Sequence, residues 1–237
     1  IMPKQFFLFI IYFLLMQKIN YQKELDSLLL SLGKNQNSDN KKTLLLHACC
    51  GPCSSYVLEY LSDFFDITVF FYNPNIYPQE EYFRRLNELK KFYESFPVVK
   101  NHKVKLIEEK YIPEEFYSAI QIKQNPELAF EKEKGVRCYR CYEFRLKRAY
   151  EFANKNHFDY FCTTLSISPF KDAEKINEIG QKLEQHNVLP KWLFSDFKKK
   201  GGFLRSLELS KEYSLYRQQY CGCIYSKLER ERQKEGI

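Results

Sequence analysis

The sequence predicts an α/β domain built on a mostly parallel, Rossmann-like sheet flanked by helices, with a C-terminal helical extension. Three observations lead there. Short apolar runs rich in Leu, Ile, Val and Phe alternate with longer stretches of helical spacing. The alternation continues from about residue 43 to residue 197, as parallel strands joined by crossover helices require. Pro, Gly and Asn punctuate the junctions, as in Gly51-Pro52 and Asn73-Pro74-Asn75.

Before that domain, Tyr21–Leu32 carries Leu25, Leu28, Leu29 and Leu32 at helical spacing, and the polar stretch 33–42 follows as a linker. The domain opens with Thr43–Ala48, an apolar run expected to be a buried strand, and a helix is expected over Ser54–Asp63. Strand Asp66–Tyr72 and helix Pro78–Phe96 come next, the helix with a proline at its start, where the missing N–H costs little. Lys103–Glu108 is the third expected strand and Pro113–Lys123 a helix. Cys138–Asn156 is a long helix, Asp159–Thr164 a strand and Lys171–His186 a helix. Leu189–Phe197 holds the last strand. Ligands of such sheets gather at the carboxyl ends of the strands, so Cys49 and Cys50, directly after the first strand, are expected on that rim. There is no internal repeat and no low-complexity tract.

The expected organisation is a leader over 1–15, an N-terminal helix and linker over 16–42, and one catalytic domain over 43–237 ending in a basic, cysteine-containing segment. The apolar run Phe6–Met16 is eleven residues long, short of the roughly 20 that span a bilayer, and lacks the small residues of an export cleavage site. Met16 is therefore the expected natural start, and no membrane attachment is expected.

At 237 residues the chain can bury a sizeable core, and 17% aromatic residues argue against disorder. Thirty-seven Lys and Arg against 30 Asp and Glu give a net charge of +7, which suits an RNA partner or simple solubility equally well.

The eight cysteines say more. Seven fall into three tight groups, in a chain too long and too regular for a disulfide scaffold. Clustered thiols of this kind point to the cytoplasm and to a metal or redox centre. Cys49 and Cys50 are adjacent at a strand-to-helix turn, where two thiolates can hold a metal and a helix N-terminus favours deprotonation. Cys50-Gly-Pro-Cys53 also has redox CxxC spacing, so a thioredoxin-like role competes. Cys138-Tyr-Arg-Cys141 supplies a second pair, and four thiolates suit zinc or a [4Fe–4S] cluster. Cys221-Gly-Cys223 has the spacing of a strained, easily reduced disulfide. Cys162, inside a strand, reads as a core thiol. His47, ending a strand, suits a core or a site role equally, whereas His102, His157 and His186 read as surface or helix-end residues.

Lys198, Lys199, Lys200, Arg205 and Arg217 lie in a stretch interleaved with Phe197, Phe203, Tyr213, Tyr216 and Tyr220. Cations for phosphates and flat rings for unstacked bases are what single-stranded RNA binding uses, and a solvated helix face is the plainer account. Its place just before Cys221 favours an RNA role.

Several blocks, in order, resemble the cobalamin-independent epoxyqueuosine reductases, the QueH family. They are His47-Ala-Cys-Cys-Gly-Pro-Cys53, Tyr72-Asn-Pro-Asn-Ile76 with Glu81-Tyr82, Arg137-Cys-Tyr-Arg-Cys-Tyr142 with Arg145-Leu146, and Thr163-Thr-Leu165 with Ser168-Pro169. Asp196-Phe-Lys198, Arg205-Ser206, Glu208-Leu-Ser-Lys211, Leu215-Tyr-Arg217, Tyr220-Cys-Gly-Cys223 and Tyr225-Ser226 continue the match, which runs from about Thr43 to Ser226. The resemblance implies an oxidoreductase for the last step of queuosine synthesis, reduction of an epoxide to an alkene at the wobble position of tRNA. It implies a [4Fe–4S] cluster on Cys49, Cys50, Cys138 and Cys141, and a redox-active disulfide at Cys221 and Cys223. Cys53 is left over, beside the cluster or as ligand of an additional iron or other metal ion. The implied partners are tRNA carrying epoxyqueuosine in its anticodon loop and an electron donor that the sequence does not name. An iron–sulfur tRNA thiolation enzyme would need a phosphate loop after the first strand, where only one glycine stands. A zinc-stabilised RNA-binding domain would leave Cys221 and Cys223 idle.

Overall fold

The computed structural model describes residues 19–33, 41–185 and 188–236. The expected leader, most of the expected linker and His186 lie outside these residues. Helix α1 (Tyr21–Leu32) is followed by β1 (Lys42–His47), α2 (Gly51–Leu61), β2 (Phe65–Phe71), α3 (Gln79–Ser95), the short α4 (Pro97–Asn101) and β3 (Lys105–Glu108). Then come α5 (Pro113–Ala119), a 3-10 turn (Pro126–Ala129), α6 (Val136–Lys155), β4 (Tyr160–Thr163) and a second 3-10 turn (Thr164–Ile167). The chain continues through α7 (Ala173–Glu184), β5 (Lys191–Trp192), α8 (Gly202–Glu212) and α9 (Ile224–Glu235).

The five strands form one sheet in the order β3-β2-β1-β4-β5, and every pair is parallel. The central strand β1 aligns Leu44–His47 with both β2 and β4. Because its neighbours cover both edges and helices cover both faces, all four of those residues are buried. Side chains alternate across the sheet: Leu44 and Leu46 pack with α1, α2, α3 and α8, whereas Leu45 packs with α6, α7 and Trp192. Each fully buried leucine contributes roughly 1.5–3 kcal/mol through the area it removes from water.

The strand order reverses between β1 and β4, where successive connections leave toward opposite sides of the sheet. Such a switch point opens a crevice beyond the strand ends. His47 and Thr163 close the two strands side by side at this place. The His47 Nε2 faces the Tyr72 carbonyl oxygen at 3.1 Å, and a carbonyl only accepts, so Nε2 carries the proton. Nδ1 then accepts from the Thr163 hydroxyl at 2.8 Å. Burial holds the His47 pKa down to about 4, so the ring is neutral: it is a satisfied core residue.

The expected helix 54–63 begins three residues earlier, at Gly51, because Pro52 is pre-set for the first turn. Cys50 becomes the residue capping that helix and Cys53 falls in its first turn. The helix expected over 113–123 ends at Ala119, and Gln121 takes a left-handed conformation. The last strand shrinks to Lys191–Trp192 at the sheet edge. Among the described residues no helix is long and apolar enough to cross a membrane.

Gly180 of α7 lies against the Trp192 indole so closely that a Cβ there would fall inside the ring. Alanine favours a helix by about 1 kcal/mol over glycine, but the overpacking costs about 1–3 kcal/mol. Gly180→Ala is therefore expected to lower the thermal unfolding midpoint; a higher midpoint would refute the packing of α7 on β5.

Candidate metal and redox centre

The crevice at the switch point is filled by thiols. Cys49 and Cys50 leave β1, and Cys50 takes an extended conformation (φ −171°) before α2 begins. The Cys49, Cys50 and Cys53 sulfurs all lie within 4.8 Å of one another, a spacing at which they could share a metal ion. Cys49 Sγ and Cys50 Sγ are 3.8 Å apart, about the separation of two thiolates on one tetrahedral ion with metal–sulfur bonds near 2.3 Å. Three sulfurs this close do not all ionise. Hydrogen bonds from Cys49 and Cys53 draw the pKa of Cys50 well down, and Cys53, donating, keeps its proton. The Arg85 charge and Gln218 Nε2, 3.1 Å from the Cys50 sulfur, favour the same charge placement.

The second pair sits on the first two turns of α6. Glu131 accepts from the Val136 and Arg137 backbone N–H groups, both at 2.7 Å, and so caps this helix. Cys138, Cys141, Tyr142 and Arg145 share the buried face that continues as Leu146, Ala149 and Ala153 against the sheet. Burial pushes the Cys138 thiol up to about 12 and raises that of Cys141.

The third group, Cys221 and Cys223, precedes α9. Gly222 between them takes φ +136°, which glycine adopts without a side-chain clash. Cys223 is buried and its thiol is pushed up to about 11 by burial, then by Cys221. A small void brings Cys138, Cys141, Cys221 and Cys223 together. A larger cavity of about 130 Å³ is lined by Cys49, Cys53 and Cys221. Cys221 thus belongs to both spaces. All eight cysteines are free thiols, and Cys162 is a fully buried core residue donating toward the Leu193 carbonyl, as its strand position suggests.

Three buried cations meet these sulfurs. Arg145, 2% exposed, donates Nη1 to Asn73 Oδ1 at 3.2 Å, while its Nη2 is buried with no hydrogen-bond partner in the protein. It acts electrostatically on both Cys49 and Cys141. Arg85 is held by Glu81 at 2.7 Å and reaches the Cys221 carbonyl oxygen at 3.1 Å. Lys171, 6% exposed, donates to the Cys221 sulfur and lies 5.8 Å from the centre of the Tyr142 ring. Burial works against its ammonium, but the combined attraction of Cys221, Tyr142, Glu133 and Cys138 outweighs that and holds its pKa well above the ordinary value.

Asn75 Oδ1, Arg137 Nε and the Tyr142 hydroxyl, on residues lining the four-thiol void, are also buried without a partner. Orphaned polar groups and buried cations around thiols suit an anionic, thiolate-bound centre, because isolated buried cations are costly. An iron–sulfur cluster held by four thiolates is such an anion. Cys49, Cys50 and Cys53 stand close enough to share one ion, and Cys138 and Cys141 line the adjoining void outside that group, so by donor chemistry these thiols suit a metal centre.

The family comparison decides the relationship. The family model described as epoxyqueuosine reductase QueH matches residues 44–229. The chain belongs to the QueH family. It is similar to the epoxyqueuosine reductase QueH of Staphylococcus aureus, 41% identical over 90% of this chain and 86% of the relative. The Streptococcus pyogenes QueH is 40% identical over 89% of this chain and 79% of its own length. The Thermotoga maritima QueH is 36% identical over 79% of this chain and 92% of its own.

The expected RNA-binding cations are dispersed in this QueH chain. Lys198 pairs with Asp196 at 2.5 Å, Lys200 with Asp26 at 3.1 Å, and Arg205 with Glu59 at 2.7 Å and Glu208 at 3.1 Å. Lys199 is exposed and does not line the thiol-lined cavity, and Arg217 alone of the five does. His102 faces Asp63 at 3.6 Å, and His157 is a left-handed residue at the end of α6. Sequence reasoning gave no role to Lys171, Arg85, Gln218 or Arg145. The one local signal was Arg145, a charge four residues after Cys141 on an otherwise apolar helix face.

In reduced, metal-free protein, iodoacetamide is expected to modify Cys221, which opens on the cavity, well before the buried Cys162. Lys171→Met is expected to change the rate of the Cys221 reaction several-fold, because it removes the N–H donor that contacts this sulfur. Peptide mass spectrometry over time checks both; equal Cys221 rates in the two proteins would remove Lys171 from the account.

Proposed function

We propose that this chain reduces epoxyqueuosine to queuosine at the wobble position of tRNA, as an oxidoreductase of the cytoplasm. The observation that carries this is the convergence of seven thiols at the switch point of a QueH family chain. The net reaction adds two electrons and two protons to the epoxide, leaving the alkene and water.

On this proposal Cys49, Cys50, Cys138 and Cys141 hold a [4Fe–4S] cluster, and Cys53 is left for an additional iron or other metal ion. When bound, the cluster supplies an electron conduit and a Lewis-acidic iron. Cys221 and Cys223 supply the reducing equivalents: two thiols become one disulfide, releasing the two electrons and two protons that the epoxide consumes. The electron donor then restores the dithiol. Cys221 faces the cavity, and Cys223 is its buried partner, oriented by a 3.5 Å contact with the Ser226 hydroxyl. Lys171 keeps a proton at Nζ beside Cys221 and balances negative charge there. Arg85 holds the Cys221 backbone carbonyl, Arg145 holds the Asn73 side chain, and both offset thiolate charge. The tRNA loop is single-stranded, so presenting its wobble base requires little unpairing.

The test is purification without oxygen, iron and sulfide analysis, and incubation with epoxyqueuosine-containing tRNA and dithionite, read by nucleoside mass spectrometry. Queuosine is the expected product, and Cys221→Ser is expected to abolish turnover that depends on a dithiol donor. A zinc-loaded protein that forms no queuosine would overturn the proposal.

A further inference from the structure

Two arginine–phenylalanine pairs stand at the mouth of the thiol-lined cavity. Phe170, in the loop after β4, is 54% exposed, and the Arg230 guanidinium of α9 lies 5.1 Å from its ring centre. Phe203, at the start of α8, lies 5.9 Å from the guanidinium of Arg217. All four residues line the same cavity as Cys49, Cys53 and Cys221, although they come from four separate segments of chain.

Both arginines are free of carboxylates among the described residues. Arg217 donates to Ser210 Oγ at 2.9 Å and to the Ser206 carbonyl at 3.4 Å, and Arg230 to Gln233 Oε1 at 2.8 Å. Lys198, Lys200 and Arg205, by contrast, are tied to Asp196, Asp26 and Glu59. Glu133 also lines the cavity, where it acts on Lys171. With room for about 130 Å³, the cavity is smaller than the roughly 300–1,000 Å³ of drug-sized pockets. It admits part of one nucleoside at most, so the rest of a polynucleotide must lie on the rim.

We infer that Phe170/Arg230 and Phe203/Arg217 form the grip for single-stranded RNA on either side of the reacting nucleoside. The rings take the faces of unstacked bases and the guanidinium groups take phosphates. The exposed Phe170 is the principal stacking surface, and Arg230, 5.1 Å from its ring centre, is placed to meet the adjoining phosphate. This inference rests on the proposed RNA substrate and adds Phe170, Phe203 and Arg230 to its recognition.

The experiment uses the full chain purified without oxygen and a fluorescein-labelled anticodon stem-loop RNA carrying epoxyqueuosine. Binding is read by anisotropy over a range of salt concentrations. Phe170→Ala is expected to weaken binding about 10-fold, the scale of one lost base stack. Phe170→Leu keeps the apolar bulk but not the flat ring, so it is expected to lose most of the same affinity while unfolding at the wild-type temperature. The double variant Arg217→Gln/Arg230→Gln is expected to make the log–log salt dependence shallower by about 1.4, about 0.7 per lost phosphate contact on a single strand. If the wild-type chain binds the RNA and these variants match its affinity and salt slope, the rim is refuted and the substrate stands. If the wild-type chain does not bind the RNA at all, the proposed substrate falls and the rim with it.

Discussion

The constraint on which the molecule turns is the burial of Arg85, Arg145 and Lys171 among thiols. Three cations away from water are costly unless negative charge lies beside them. Glu81 answers Arg85 directly, but Lys171 faces Cys221, and Arg145 keeps one nitrogen without a partner. Of these sulfurs only Cys50 is drawn toward the thiolate by its neighbours, and a metal held by the other thiols as thiolates would supply the remaining negative charge. Packing alone explains none of the three cations, since an apolar side chain would fill each place at lower cost.

The sheet topology makes this meeting of groups possible. Parallel strands all end on the same edge, and the reversal between β1 and β4 leaves that edge open at one point. Cys49, Cys50 and Cys53 come from the turn after β1, and Lys171 comes from the loop after β4. The first turns of α6 bring Cys138, Cys141 and Arg145, and the C-terminal segment folds across the opening to add Gln218, Cys221 and Cys223. Arg85 holds that segment in place through the Cys221 carbonyl. Proteins that reduce a bound substrate need this combination of a rigid frame and an approachable edge.

The fold was largely legible in the sequence because strand runs such as Leu44–Leu46 and Ile67–Phe71 are buried on both faces and stand out as apolar blocks. Boundaries shifted where a local rule outweighed periodicity, as when Pro52 started α2 early and so brought Cys53 into the same turn as Cys50. The thiol groups were visible because cysteine is scarce and its spacing is informative. The pairing of cations was not visible. Lys200 meets Asp26 across 174 positions and Arg205 meets Glu59 across 146, and no local pattern records such contacts. For the same reason Phe170 and Arg230, ordinary surface residues in the sequence, gain meaning only when folding places them on one rim.

The most direct test of this account is the iron and acid-labile sulfide content of Arg145→Met purified beside the wild-type chain without oxygen, with folding checked by circular dichroism. The substitution keeps the bulk of the side chain and removes its charge. If buried cations hold an anionic thiolate-bound centre, the folded variant will contain a small fraction of the wild-type iron and sulfide. A folded variant with the full wild-type content would contradict the account and reduce Arg145 to a packing residue.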